Sequence, residues 1–121
     1  MISEIPKVHD KIGCKTHVLA IKDTLDLVGG KWKLPILFAL GLGTWRFKEL
    51  QREIEGITAK MLSKELKELE INELVKREVF ATTPVTVEYS LTDYGKTISS
   101  VINPLHDWGM NHRERIIKGK K

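Results

Sequence analysis

The sequence predicts an α+β fold that is mainly helical, and three observations carry that reading. Apolar residues recur at helical spacing through most of the chain, one stretch after residue 75 switches to a period of two, and glycines mark the breaks between them. With 121 residues, 41% hydrophobic and 30% charged, the chain is long enough for one domain over residues 1–121 and too rich in aliphatic residues for disorder.

Residues 1–13 lack a period and read as an arm. A first helix is predicted from about Lys15 to Val28, with Val18, Ile21, Leu25 and Val28 as its apolar stripe and Gly29-Gly30 as its stop. A second runs from about Trp32 to Leu40. Pro35 fits only in its first turn, and Leu34, Ile36, Leu37, Phe38 and Leu40 make it apolar on nearly every side, as for a helix buried all round. After Gly41 and Gly43, residues 44–46 form a short extended link. Phe47, Leu50 and Ile54 then mark an amphipathic third helix that ends at Gly56. Thr58 is the predicted N-cap of a fourth helix reaching about Asn72, buried through Leu62, Leu66 and Leu69.

Two strands follow, Val75 to Ala81 and Val85 to Leu91, joined by a turn at Thr82, Thr83 and Pro84. Val85, Val87, Tyr89 and Leu91 share one face and Thr86, Glu88 and Ser90 the other. From Thr92 to roughly Ile117, Ile98, Val101, Ile102, Leu105, Trp108, His112 and Ile116 recur at spacings of three and four. That pattern predicts one long amphipathic helix interrupted by Pro104, with Lys118 to Lys121 as a disordered tail. A helix, a glycine turn, a second helix and a hairpin, in that order, make a winged helix-turn-helix. Here it spans about residues 46–72 with a two-stranded β wing over about 74–91, and N- and C-terminal helices (about 15–28 and 92–117) are added for dimerisation.

The charge distribution points to a polyanion. The net charge is +4 with a sequence pI near 9.2, and position matters more than the total. On a wheel of 100° per residue with Leu62 at zero, Lys60, Lys64 and Lys67 fall at about 160°, 200° and 140°, opposite the buried stripe. The acids Glu65, Glu68 and Glu70 enter only in the second half, so the positive face is concentrated at the N-terminal end, the positive pole of the helix dipole. Such an end enters the major groove with Thr58, Met61 and Ser63 placed for base edges and the lysines for phosphates. The alternative for any lysine stripe is a solvated face. Arg77, Thr82 and Thr83 on the wing are candidates for the phosphate backbone or minor groove; alternatively Arg77 packs its stem on the core and pairs with a carboxylate. Arg46, Lys48 and Arg52 around the third helix either clamp the DNA backbone or are simply solvated.

Cys14, the single cysteine, forms no intrachain disulfide, which suits a reducing, cytoplasmic compartment, and neither an export signal nor a membrane span is expected. Cys14 and His17 have half of a metal-site spacing without a second half among His9, His106 and His112. No phosphate-binding glycine loop, nucleophile elbow or paired-carboxylate motif is present. Catalytic residues, metal and cofactor are therefore all expected to be absent.

The segments Gly29-Gly30-Lys31-Trp32-Lys33, Arg46-Phe47-Lys48-Glu49-Leu50, Gly56-Ile57-Thr58 before Met61-Leu62, Leu66-Lys67-Glu68-Leu69, Val87-Glu88-Tyr89-Ser90-Leu91-Thr92 with Gly95, and Trp108-Gly109 together resemble the HxlR-type winged helix-turn-helix regulators, relatives of the MarR type. The resemblance implies a bacterial or archaeal homodimer that binds double-stranded DNA at a pseudo-palindromic operator and regulates transcription. Its fourth helix would read the DNA, and its first and last helices would build the dimer, through Val18, Ile21, Leu25, Val101, Leu105, Trp108 and His112. Several members sense oxidants or electrophiles through a cysteine just before the first helix, where Cys14 stands, so the resemblance also implies an oxidant or small-molecule effector. Lys15 stands where the family often has Pro. The competing assignment is a winged-helix protein-interaction module without DNA binding.

Overall fold

The structure is a computed structural model that describes residues 11–119, with side chains from residue 14, and it falls into two units, residues 1–30 and 31–121. Of the arm expected over residues 1–13, residues 1–10 lie outside the described residues, as do the tail residues Lys120 and Lys121, while residues 11–13 belong to a helix rather than an arm. In the first unit, helix α1 (Lys11–Val28) begins a turn earlier than its apolar stripe suggested. Val18, Leu19, Ile21 and Leu25 are exposed along it, and Val28 is buried.

The second unit is built on helix α2 (Lys33–Gly41), with Pro35 in its first turn as expected. Ile36, Leu37, Ala39 and Leu40 are buried, but Phe38 is 41% exposed. The expectation of burial all round therefore fails on one side. There Phe38 has one aromatic neighbour among the described residues, the His106 ring, stacked at 5.7 Å.

The link after α2 is a strand, β1 (Trp45–Arg46). Two residues are too few to show a period, so sequence patterning read them as an extended connection. The Trp45 indole N–H donates to the Ala39 carbonyl at 2.7 Å, which ties β1 to the last turn of α2. Helix α3 (Phe47–Glu53) follows directly, its first turn closed by the Glu49 carboxylate accepting from the Arg46 N–H at 2.8 Å. At Gly56 the backbone takes φ +87°, a left-handed value that a side chain resists, and the chain turns there into helix α4 (Ala59–Ile71). Leu50, Ile54, Ile57, Leu62, Leu66 and Leu69 bury the inner faces of this helix-turn-helix.

Strands β2 (Val75–Phe80) and β3 (Thr86–Leu91) form the hairpin, and β1 pairs antiparallel with β3, so the sheet has three strands in the order β1-β3-β2 rather than two. The register sets Val75 opposite Leu91, Arg77 opposite Tyr89 and Val79 opposite Val87. Val75, Tyr89 and Leu91 are buried, whereas Val79 and Val85 near the hairpin tip are exposed.

The predicted single helix over 92–117 is two helices, α5 (Asp93–Lys96) and α6 (Ser99–Gly119). Thr92 causes the short first piece. Its hydroxyl accepts from the Gly95 N–H at 2.8 Å as an N-cap and donates to the Glu73 carbonyl at 2.6 Å, while its own N–H reaches the Leu74 carbonyl at 3.1 Å. These bonds bring Gly95 so close to Leu74 that a Cβ would sit 1.9 Å from the Leu74 oxygen. Helix α6 continues through Pro104 and includes Lys118 and Gly119, which were expected in the tail; Lys118 pairs with Glu114 at 2.6 Å. Ile98 and Ile102 are buried, whereas Val101, Leu105, Trp108 and His112 are exposed. No helix among the described residues is long and apolar enough to cross a membrane.

The close approach at Gly95 generates a stability test. Gly95→Ala forces backbone apart and is expected to cost at least about 1–3 kcal/mol in thermal unfolding. Gly109→Ala, in α6 with open space around it, is expected to be neutral or stabilising by about 0.5–1 kcal/mol. Equal melting of the two variants would contradict this.

Candidate nucleic-acid interface

Helix α4 starts where the sequence placed it, because Thr58 takes an extended conformation and its hydroxyl accepts from the Met61 N–H at 3.1 Å. That hydroxyl keeps its own hydrogen as a donor. With Leu62, Leu66 and Leu69 buried, Lys60, Ser63, Lys64 and Lys67 face outward and are exposed, while Met61 is half-buried.

These outward side chains share a groove with the sheet. Lys60, Ser63, Lys64, Leu66, Lys67 and Glu70 of α4 line it together with Arg77 of β2 and Tyr89 of β3. It therefore sets four cationic side chains against one carboxylate. Arg77 lies on the same face of the sheet as buried Tyr89 and Leu91 but is itself exposed, and among the described residues it makes no ion pair. The carboxylate pairing expected as the alternative for Arg77 is therefore not found among the described residues.

Other candidates sit apart from this groove. Arg46 is exposed on β1, opposite Glu88 in the ladder, and Arg52 is exposed on α3. Thr82 and Thr83 are at the hairpin tip, where the Thr82 hydroxyl donates to the Pro84 carbonyl at 2.7 Å and so holds the turn. In the first unit Cys14 is exposed beside Lys15, Val18, Leu19 and Lys22. No group of His, Cys, Asp and Glu among the described residues is arranged to hold a metal ion.

The patterning missed Lys33, which is only 9% exposed. Its ammonium donates to Glu65 Oε1 at 2.6 Å and Glu68 Oε1 at 2.8 Å, and the other oxygen of Glu68 lies 3.3 Å from Lys64. The signal was present: Lys33, Ile36, Leu37 and Leu40 share one helical face, so Lys33 belongs to the buried stripe of α2, and Glu65 and Glu68 stand three apart on α4. On the α4 wheel those carboxylates lie at about −60° and −120°, between the buried stripe and the lysines, on the side away from Ser63 and Glu70.

Burial is the largest single influence on Lys33 and pulls its pKa down, but the hydrogen bonds and charges of Glu65 and Glu68 together outweigh it and hold the pKa above the ordinary lysine value. The Lys33 hydrogen bond, reinforced by Lys64, holds the Glu68 carboxyl below the usual carboxylate range. A lowered carboxyl pKa stabilises the fold above its unfolded value, and that contribution is lost as pH falls through the folded value. A raised lysine pKa contributes fully until strongly alkaline pH. At neutral pH both are therefore in place. Glu68→Gln is expected to lower the melting temperature at pH 7, and the gap from the native protein is expected to close on acidification through the carboxylate range. A gap of constant size down to pH 3 would rule out this linkage.

Residues 27–117 match the model of the HxlR-like helix-turn-helix family. The chain is 43% identical over 98 residues to the HTH-type transcriptional regulator YdeP of Bacillus subtilis, covering 81% of this chain and 77% of YdeP. Among solved structures, the redox regulator HypR in its reduced form superposes with a TM-score of 0.77 at 37% identity, covering 82% of this chain and 98% of HypR. The reduced form of the regulator YodB from B. subtilis gives a TM-score of 0.68 at 39% identity over 74% of this chain and 87% of YodB. YdeP and YodB are transcriptional regulators and HypR is a redox regulator, and the family is one of regulators rather than enzymes.

Proposed function

The chain belongs to the HxlR-like helix-turn-helix family of transcriptional regulators, and from that premise we propose that it binds double-stranded DNA sequence-specifically, as a homodimer, in the reducing cytoplasm. The observation that carries the reading is the groove in which Lys60, Ser63, Lys64 and Lys67 of α4 meet Arg77 of the wing. Lys60, Lys64, Lys67 and Arg77 meet phosphates, and Thr58, Met61 and Ser63 meet base edges in the major groove. Arg46, Arg52, Thr82 and Thr83, outside the groove, are assigned to the flanking backbone.

Dimerisation is supported by apolar surface left open on two helices: Val18, Ile21 and Leu25 on α1, and Val101, Leu105 and Trp108 on α6, where Trp108 is 66% exposed and stacks on His112. Burying such surface is worth about 25 cal/mol per Å². A twofold dimer pairs with a pseudo-palindrome whose half-sites lie roughly 10 base pairs apart.

The reading is tested by titrating the protein against duplex from its own upstream region and against random duplex. Lys64→Ala and Lys67→Ala are expected to weaken binding to both alike and to flatten the salt slope by about 0.9 per subunit. Ser63→Ala is expected to relax the preference for the cognate duplex by roughly 1 kcal/mol. Sedimentation of the complex is expected to give two chains per duplex. Unchanged binding in all three variants would move the interface elsewhere, and one chain per duplex would remove the dimer.

A redox response at Cys14 is part of the same proposal. The thiol is exposed, and the structurally similar HypR and YodB are known in reduced and in oxidised or diamide-treated forms. Two Cys14 thiols, one per protomer, give up two protons and two electrons to diamide, which is reduced to its hydrazine, and one S–S bond forms. Diamide is expected to alter DNA binding of the native protein and to leave Cys14→Ser unaffected. An equal response from both proteins would reduce Cys14 to a structural residue.

A further inference from the structure

We infer that Lys33, which lies inside the protein and never reaches DNA, is a positioning residue for DNA binding that works by neutralising the acidic flank of the recognition helix. The inference rests on the reading of α4 as that helix. Between Lys60 and Glu70 the helix carries Lys60, Lys64 and Lys67 against Glu65, Glu68 and Glu70, a sum of zero. Its positive outer face therefore depends on something else holding the carboxylates. Lys33 does this from α2, 2.6 Å from Glu65 and 2.8 Å from Glu68.

The distances make the effect matter at the groove. Glu68 Oε2 lies 3.3 Å from the Lys64 ammonium, so its charge falls within a Debye length, about 8–10 Å, of any phosphate that Lys64 meets. With Lys33 in place, one oxygen of Glu68 is committed inward and Lys64 is only loosely held. Without it, two carboxylates lose their buried counter-ion, and Glu68 is left to pair with Lys64 alone. The same phosphate then meets repulsion from both carboxylates and a lysine already engaged. The raised pKa of Lys33 agrees with an ammonium that stays charged throughout the neutral range.

A charge-balance experiment separates this role from simple support of the fold. Counting Lys33, Glu65 and Glu68, the native network sums to −1, Lys33→Met to −2, and the triple variant Lys33→Met/Glu65→Gln/Glu68→Gln to zero. Binding to a random-sequence duplex is measured at two salt concentrations, with folding followed by circular dichroism. Lys33→Met is expected to bind about tenfold more weakly at low salt, with the gap shrinking as salt screens the carboxylates. The triple variant, although it has lost both ion pairs, is expected to return to native affinity or better. Lys33→Met binding like the native protein overturns the inference, and so does a folded triple variant as weak as Lys33→Met, since that result makes Lys33 purely structural. If Lys33→Met does not fold, the triple variant decides alone, by native-like affinity or its absence. A native protein that binds no duplex at all overturns the DNA-binding reading itself, an outcome distinct from either of these.

Discussion

A buried ammonium balances the charge of the helix-turn-helix unit. Lys33 enters the apolar face of α2, where an unpaired charge would be intolerable, and its two carboxylate partners both come from α4. The apolar stripe of Leu62, Leu66 and Leu69 drives burial and turns one side of α4 inward, which leaves the opposite side to Lys60, Ser63, Lys64 and Lys67. The ion pairs act beside that stripe: they hold Glu65 and Glu68 against α2, so that the acidic flank of α4 is balanced from inside the protein.

The sheet depends on a second set of directed contacts. Thr92 bonds to both Glu73 and Leu74 where the chain leaves α4, and Gly95 leaves no room for a side chain against Leu74. On the other edge, the Trp45 indole bonds to the last turn of α2, and its strand pairs with β3. The hairpin is therefore anchored at its base from two sides and presents Arg77 beside α4, whereas its tip, with Val79 and Val85 exposed, projects away from the core. An arginine on a strand so anchored can stand at a defined place in a groove formed mainly by a helix.

The order of elements was legible because it rests on local rules. The N-cap at Thr58, the turn at Gly56, the period-two run from Thr86 to Leu91 and the lysine face of α4 all follow from residues within a few positions of one another. The two-residue strand β1 was not legible, since its partner is more than forty residues away and its length shows no period. The single helix expected over 92–117 failed for a related reason. Periodicity continued across Thr97, but the side chain of Thr92 and the packing of Gly95 impose a break that no apolar spacing records.

Taken alone, the sequence determined the helical and strand periods, the caps and turns, the family motifs and the outward lysines of α4, because each is a property of neighbours along the chain. Tertiary structure decided what those elements meet. It placed Arg77 with the α4 lysines in one groove, left Phe38 half open against His106, and turned Lys33 from a lysine in an apolar run into the partner of Glu65 and Glu68. The physical reason is desolvation. Whether a charge is costly, neutral or stabilising depends on what surrounds it after folding, and those surroundings come from residues more than thirty positions away.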